Sequence, residues 1–230
     1  MFGTRVWVAG VLGSSTMGLL DSDVSLGRLR LLSQGAFAGL FVWILVAGQY
    51  RFWMIVVALG LATTTIAGRW YCGWACPIGT AYRAIDRVYA TLGIERRAVP
   101  DGIRRRSWLR WAIAAGFVGV FVANRALGLG LAPIPYVVVA GIAVGLAFDP
   151  ATFHGHLCPF GTLFRLVSAR QRFGLTVDAD ACAGCATCTD FCPSGAIDVD
   201  DSGTPSIDSG ECLTCFACLE ACPLDGIRYE

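Results

Sequence analysis

Cys182-Ala183-Gly184-Cys185-Ala186-Thr187-Cys188-Thr189-Asp190-Phe191-Cys192-Pro193 reads C-x2-C-x2-C-x3-C-P, and 30 residues later the spacing returns as Cys212, Cys215, Cys218, Cys222 and Pro223. This is the ligand pattern of a chain holding two [4Fe–4S] clusters, in which the fourth cysteine of each run ligates the other cluster. It assigns Cys182, Cys185, Cys188 and Cys222 to one cluster, and Cys212, Cys215, Cys218 and Cys192 to a second. Zinc is the competing reading, but a tetrahedral zinc needs two cysteine pairs and leaves the third close cysteine and the proline without a task. The repeat also sets Ile197 on Ile227. It predicts a pseudo-two-fold α+β ferredoxin-like domain over 173–230, with short strands near 174–178, 196–200 and 204–208.

Outward from this tail the composition changes. The 230 residues are 55% hydrophobic and only 15% charged, and the mean hydropathy of +0.60 lies well outside soluble averages. Four stretches, 29–48, 52–68, 108–127 and 131–148, approach the roughly 20 apolar residues that a helix needs to cross a bilayer. Residues 1–172 are therefore expected to form a membrane all-α bundle, four transmembrane helices in two repeated hairpins. The stretch 6–20 has two readings, a cleaved signal peptide or a fifth short N-terminal helix. The helix is preferred, because cleavage would leave Arg28 and Arg30 as an exported flank.

Orientation follows from arginine alone, since the chain has no lysine. Arg69, Arg83, Arg87, Arg96, Arg97, Arg104, Arg105 and Arg106 lie between the second and third stretches, against Arg51 and Arg125 in the opposite turns. The positive-inside rule puts the long loop, and after an even number of crossings the tail, on the cytoplasmic side of the inner membrane. A reducing compartment suits thiolate ligands and argues against disulfides. Residues 1–172 hold 17 arginines against 6 acids, a net of +11, whereas residues 173–230 hold 1 arginine against 11 acids, a net of −10. So acidic a tail suits a partner oxidoreductase subunit or ferredoxin with a basic docking face, although topology and solubility alone also account for the split.

The bundle repeats as well. At an offset of 82 residues, Tyr71-Cys72-Gly73-Trp74-Ala75-Cys76-Pro77-Ile78-Gly79-Thr80-Ala81-Tyr82-Arg83 aligns with Phe153-His154-Gly155-His156-Leu157-Cys158-Pro159-Phe160-Gly161-Thr162-Leu163-Phe164-Arg165. Cys72 falls on His154 and Cys76 on Cys158, so Cys72, Cys76, Cys158 and His154 supply four ligands for a third iron–sulfur cluster at a membrane corner. Imidazole in place of thiolate raises the potential in Rieske centres, which would suit exchange with a quinol. His156 remains an alternative ligand, a proton acceptor or a hydrogen-bond donor behind the ligands. Three unrelated buried thiols would also satisfy the composition, but the return of Cys-Pro-x-Gly-Thr at both corners argues against coincidence. After each corner the pattern turns amphipathic, as in Ile78, Tyr82, Ile85, Tyr89 and Leu92, which describes interfacial helices over the corner.

Other chemistries lack their residues. The two histidines stand within three positions of each other and no C-x-x-C-H occurs, which excludes bis-histidine and covalent haem within this sequence. No Gly-rich nucleotide fingerprint or P-loop is present, no residue is singled out as catalytic, and nothing points to nucleic acid.

The four spans, the Cys72-to-Gly79 corner, the Gly155-His156-Leu157-Cys158-Pro159-Phe160-Gly161 corner and the double cysteine run together resemble the NapH/NosR-like membrane-bound polyferredoxin family, from about residue 29 to 230. The resemblance implies a membrane-anchored subunit of a quinol dehydrogenase-like oxidoreductase. It would relay electrons between the quinone pool, as menaquinol or ubiquinol, and a cytoplasmic reductase or ferredoxin. Relatives in cofactor and oxidase maturation keep open a reductase that serves assembly of a metal centre, and a redox-sensing anchor is a third reading. His154 departs from the family, whose second corner commonly carries another cysteine.

Overall fold

The computed structural model describes residues 26–94, 96–97, 102, 106–130, 133–200 and 203–230. The 6–20 stretch and Arg104 and Arg105 of the basic loop lie outside them. Helices Leu26–Val46 and Arg51–Ala67 form a first hairpin, and Ser107–Leu127 and Pro133–Ala147 follow in the same order in the second half, where Ser107–Leu127 packs on Pro159–Ser168. They stand on the four apolar stretches. Among the described residues, one helix, Leu26–Val46, is long and apolar enough to cross a membrane by length and composition. Arg51–Ala67 and Pro133–Ala147 are apolar but have 17 and 15 residues, or about 26 and 22 Å at 1.5 Å per residue. Ser107–Leu127 has 21 residues and carries Arg110 and Arg125. Leu32, Trp43, Leu59, Val122 and Val139 are exposed on these helices.

The 82-residue repeat is structural. Adding 82 to the first hairpin gives 108–128 and 133–149, against the observed Ser107–Leu127 and Pro133–Ala147. Each half then ends in a corner followed by an amphipathic helix, Pro77–Leu92 or Pro159–Ser168. The halves cross-pack: Arg51–Ala67 touches Pro159–Ser168, and its counterpart Pro133–Ala147 touches Pro77–Leu92. Tyr71 stacks on Phe164 with ring centroids 5.3 Å apart, and the equivalent pair Phe153 and Tyr82 meets at 6.0 Å. This exchange of aromatics between halves about a pseudo-two-fold axis brings the two corners face to face. Tyr82 buries its ring and donates from its hydroxyl to the Gly141 carbonyl at 2.8 Å, so its polar tip is satisfied inside the bundle.

In the tail, β1 (Leu175–Val177) pairs antiparallel with β4 (Ile227–Tyr229), and β2 (Ile197–Val199) with β3 (Pro205–Ile207). Short helices Thr187–Asp190 and Ala217–Ala221 lie between them, 30 residues apart. Leu175, Ala196, Ile197 and Ile227 bury against Cys212 and Cys218 in one small core. Three-residue strands in two-stranded ribbons are marginal by themselves, so this domain depends on what its cysteines hold.

Candidate metal centres

Two cavities open inside the tail. One is lined by Cys182, Cys185, Cys188 and Cys222 beside Val177 and Ile227; the other by Cys192, Cys212, Cys215 and Cys218 beside Leu175 and Ile197. Each run thus sends its fourth cysteine across to the other's cavity. Left-handed residues within and just after the cysteine runs bend the chain this way, and they too repeat at 30: Gly184 and Thr214 (φ 66 and 48), Ala186 and Phe216 (56 and 58), Gly195 and Asp225 (64 and 50). Four of the six are not glycine, at a cost of roughly 1–2 kcal/mol each. Such strain persists only where the surroundings over-determine it. Alternating left- and right-handed residues turn successive amides toward one side, a concavity suited to an anionic group. Ala196 N–H donates to Cys192 Sγ at 3.2 Å and Thr214 N–H to Cys212 Sγ at 3.4 Å, and N–H···S bonds are one lever on a cluster's potential.

The donor set fits iron. Burial pushes the Cys212 and Cys218 thiols up to about 12, with neighbouring sulfurs adding to the effect, so thiolates there need a bound cation to form at neutral pH. Among the described residues no three His, Cys, Asp or Glu groups gather closely enough for a single metal ion. A cage that offers one thiolate to each iron of a four-iron cluster is wider than that. The two cavities differ in surroundings: Cys185 is exposed, while Cys212, Cys215 and Cys218 are buried.

Both corners are built from one hydrogen-bond scheme. Cys76 N–H donates to the Tyr71 carbonyl at 2.9 Å and Cys158 N–H to the Phe153 carbonyl at 2.7 Å, five-residue steps of the kind found in π-turns at functional sites. Phe153–Leu157 is such a π-helical turn. Each cysteine then caps its helix in extended conformation with proline in the first turn, where the missing N–H costs nothing. The Thr80 and Thr162 hydroxyls donate back to the Cys76 and Cys158 carbonyls at 3.2 and 3.3 Å. Glycine is required at the next step: a Cβ on Gly79 would stand 2.9 Å from the Cys72 carbonyl oxygen, and one on Gly161 would stand 3.0 Å from that of His154. The backbone of His154 therefore occupies the place that Cys72 takes in the first corner.

Cys72, Cys76 and Cys158 lie within electrostatic reach of one another. Burial pushes Cys158 up to about 12 and raises Cys76 further, with Cys72 adding to both and Cys158 adding to Cys76. The His154 ring is buried 5.2 Å from the ring of Tyr82, which packs with Cys158 and Cys76. Burial, with Arg69 and Arg83 nearby, pushes its pKa down to about 3, so the imidazole stays neutral, as a metal ligand must be. His156 Nδ1 lies 3.4 Å from Arg110 Nη2.

The junction between bundle and tail was not legible beforehand. Glu211 of the tail meets Arg69 at 3.5 Å, Arg110 at 2.7 Å, and Arg165; Asp208 meets Arg165 at 3.5 Å and Glu220 meets Arg30 at 3.3 Å. Three of the acids that suggested a partner's basic face are thus engaged by arginines of this same chain. The Cys72-Gly73-Trp74 corner lies directly on the Leu213–Cys215 loop: a Cβ on Gly73 would meet Cys215 Cβ at 3.1 Å, and Trp74 Nε1 donates to the Thr214 carbonyl at 2.9 Å. Gln34 completes the contact, donating to the Gly73 carbonyl at 2.8 Å from inside an apolar helix. The sequence signals were the lone amide in that helix and the charge inversion near residue 172.

Paired cysteine cages on a 30-residue repeat define a ferredoxin-type iron–sulfur electron-transfer protein. Residues 174–223 match the family model of the 4Fe-4S dicluster domain, and residues 52–94 and 131–176 match that of the 4Fe-4S binding domain, so the latter covers both corners. The chain is 30% identical over 138 residues to the methylamine utilization ferredoxin-type protein MauN of Methylorubrum extorquens, across 55% of this chain and 48% of that protein. It is 29% identical over 178 residues to MauN of Paracoccus denitrificans, across 71% and 59%. It is 22% identical over 138 residues to the ferredoxin-type protein NapH of Haemophilus influenzae, across 55% and 48%. The chain is thus similar, at low identity, to ferredoxin-type proteins of the MauN and NapH kind, and its own sequence matches 4Fe-4S domain models. It spans about half the length of the curated relatives it matches. No solved structure matches it.

Proposed function

We propose that the chain is a membrane-anchored relay that passes single electrons between a quinol and a partner reductase or ferredoxin through three iron–sulfur centres in a row. In this reading Cys72, Cys76, Cys158 and His154 hold the corner centre, Cys192, Cys212, Cys215 and Cys218 the inner tail centre, and Cys182, Cys185, Cys188 and Cys222 the outer one. Bound clusters supply the one-electron chemistry, and the chain's residues position and tune them. The observation that carries the reading is the non-bonded contact of the Cys72–Gly73 corner with the Leu213–Cys215 loop, which sets residues of two cages side by side. Exposed Cys185 then marks the exit toward a partner. The expected placement is multi-pass in the inner membrane with the tail in the cytoplasm. Reporter fusions after residues 100 and 230 should both read cytoplasm, and an exported tail would overturn it.

The test of the corner uses the full chain in membranes. His154→Ala should remove or convert one cluster signal and leave both tail signals, whereas His154→Cys should keep it at a lower potential, a neutral donor being exchanged for a thiolate. An unaltered signal in His154→Ala, with loss in His156→Ala, would transfer the ligand role to His156. A reductase serving assembly of a metal centre is the second reading. An apo partner enzyme accumulating on deletion would favour it, and a reductase subunit copurifying in fixed stoichiometry would favour the relay.

A further inference from the structure

Arg69 is the most fully buried charge in the described structure, 1% exposed, and it lies between two cysteine cages. From Nη1 it donates to the Gly210 carbonyl at 2.7 Å and reaches Glu211 Oε2 at 3.5 Å, in the turn that leads into Cys212. Its other donors face the corner. Nη2 stands 3.2 Å from where a Cβ on Gly161 would be, beside Cys158 Cβ and the His154 carbonyl. Nη2 and Nε are buried with no acceptor at full hydrogen-bond geometry, while the ionised Cys72 sulfur is close enough to be stabilised by a hydrogen bond from Arg69. A guanidinium seldom leaves two donors unsatisfied in a dry site, because each costs about 1–3 kcal/mol. Sulfur carrying negative charge is what the neighbouring thiols would present once a cluster is bound. The positive charge of Arg69 also opposes the burial effect at Cys72, Cys158 and Cys212, thus on both sides of the junction.

We propose that Arg69 bridges the two centres: it donates from Nε and Nη2 to sulfur at the corner and holds the Cys212 turn through Nη1, so that one buried charge sets the potentials of both. The proposal rests on the corner centre of the relay reading, and is independent of that reading's direction and partners of transfer. A cation beside a cluster favours its reduced form. Removing that cation lowers the potential of every centre it reaches.

The experiment is a mediated dithionite titration of the full chain in detergent, followed by electron paramagnetic resonance with iron counted per chain. Because dithionite supplies the electrons, a chain that takes none from quinol still gives the readout. Arg69→Gln should lower the midpoints of the corner and inner tail signals and leave the outer one in place. Arg69→Lys keeps the charge without the planar fork, so it should retain both potentials more closely while altering the shape of the corner signal. Unchanged corner and inner midpoints in Arg69→Gln with iron retained would overturn the proposal, as would an equal shift of all three. If Arg69→Gln loses iron, Arg69→Lys decides: loss of all three clusters from both variants makes Arg69 a folding residue only, and retention of the outer cluster alone keeps the bridge.

Discussion

The two cavities of the tail share a cysteine spacing and three pairs of left-handed residues, yet they meet opposite surroundings. Around the outer one, Cys185, Pro223 and Leu224 are exposed. Around the inner one, Leu213 and Cys215 belong to the same core as Tyr71, Cys72 and Phe164 of the bundle. A local repeat makes two equal cages; the host helices make them unequal. Burial lowers the local dielectric, strengthens every nearby charge and leaves the outer cage as the one open to another molecule.

The sharpest way to break this comparison is to remove one cysteine from each side. On the three-centre reading proposed above, Cys185→Ala should cost about four of roughly twelve irons per chain and leave the tail docked. Cys215→Ala strikes the inner cage while keeping the carbonyl that accepts from Arg30 and the Cβ that lies against Gly73. In that variant quinol should no longer reduce the outer centre, while dithionite still does. Outer reduction by quinol at the wild-type rate would mean that the inner cage is not on the path.

A smaller effect separates the acids of the two sides. Glu211 is surrounded by Arg69, Arg110 and Arg165, so Glu211→Gln strands charge in a largely buried node and should cost ~3 kcal/mol. Asp225→Asn on the outer side lies on the exposed surface and should stay within about 0.5 kcal/mol. The measurement is the denaturant midpoint at which cluster absorbance is lost. Equal midpoints for the two variants would demote the arginine node to an incidental contact.

What was legible in the sequence was local. Cysteines at spacings of two and three carry their ligand role in their own numbering, and each residue of Cys-Pro-x-Gly-Thr does a job within five positions of the next: cap, first-turn proline, close-approach glycine, hydroxyl on the cap carbonyl. The apolar stretches located the helices, and the 30-residue repeat located the strands. The docking of tail on bundle was illegible because its contacts span great separations; Arg69 and Gly210 are 141 residues apart. The arginines beside the corners read as topology signals. Arg69 fits the positive-inside count equally well whether it faces water or Glu211.

The last test asks whether the strain in the two halves of the tail repeat is a shared cost. Thr214 takes a left-handed conformation at φ 48, a position where its counterpart is Gly184 at φ 66. Gly184→Thr should destabilise by ~2 kcal/mol, since an L-residue there costs roughly 1–2 kcal/mol and its Cβ would stand 3.0 Å from the Gly203 carbonyl oxygen. The reverse change is nearly balanced. Thr214→Gly relieves that strain and removes a buried hydroxyl that lacks a partner, but it loses a side chain that is only 2% exposed and adds backbone freedom worth about 0.5–1 kcal/mol. A net gain of up to ~1 kcal/mol is expected from strain relief, read as a higher midpoint for loss of cluster absorbance. If Thr214→Gly instead destabilises as much as Gly184→Thr, the inner half is held by the packing of Thr214 on the Gly68 turn. The asymmetry of the two cages then begins in their own side chains, before any helix covers them.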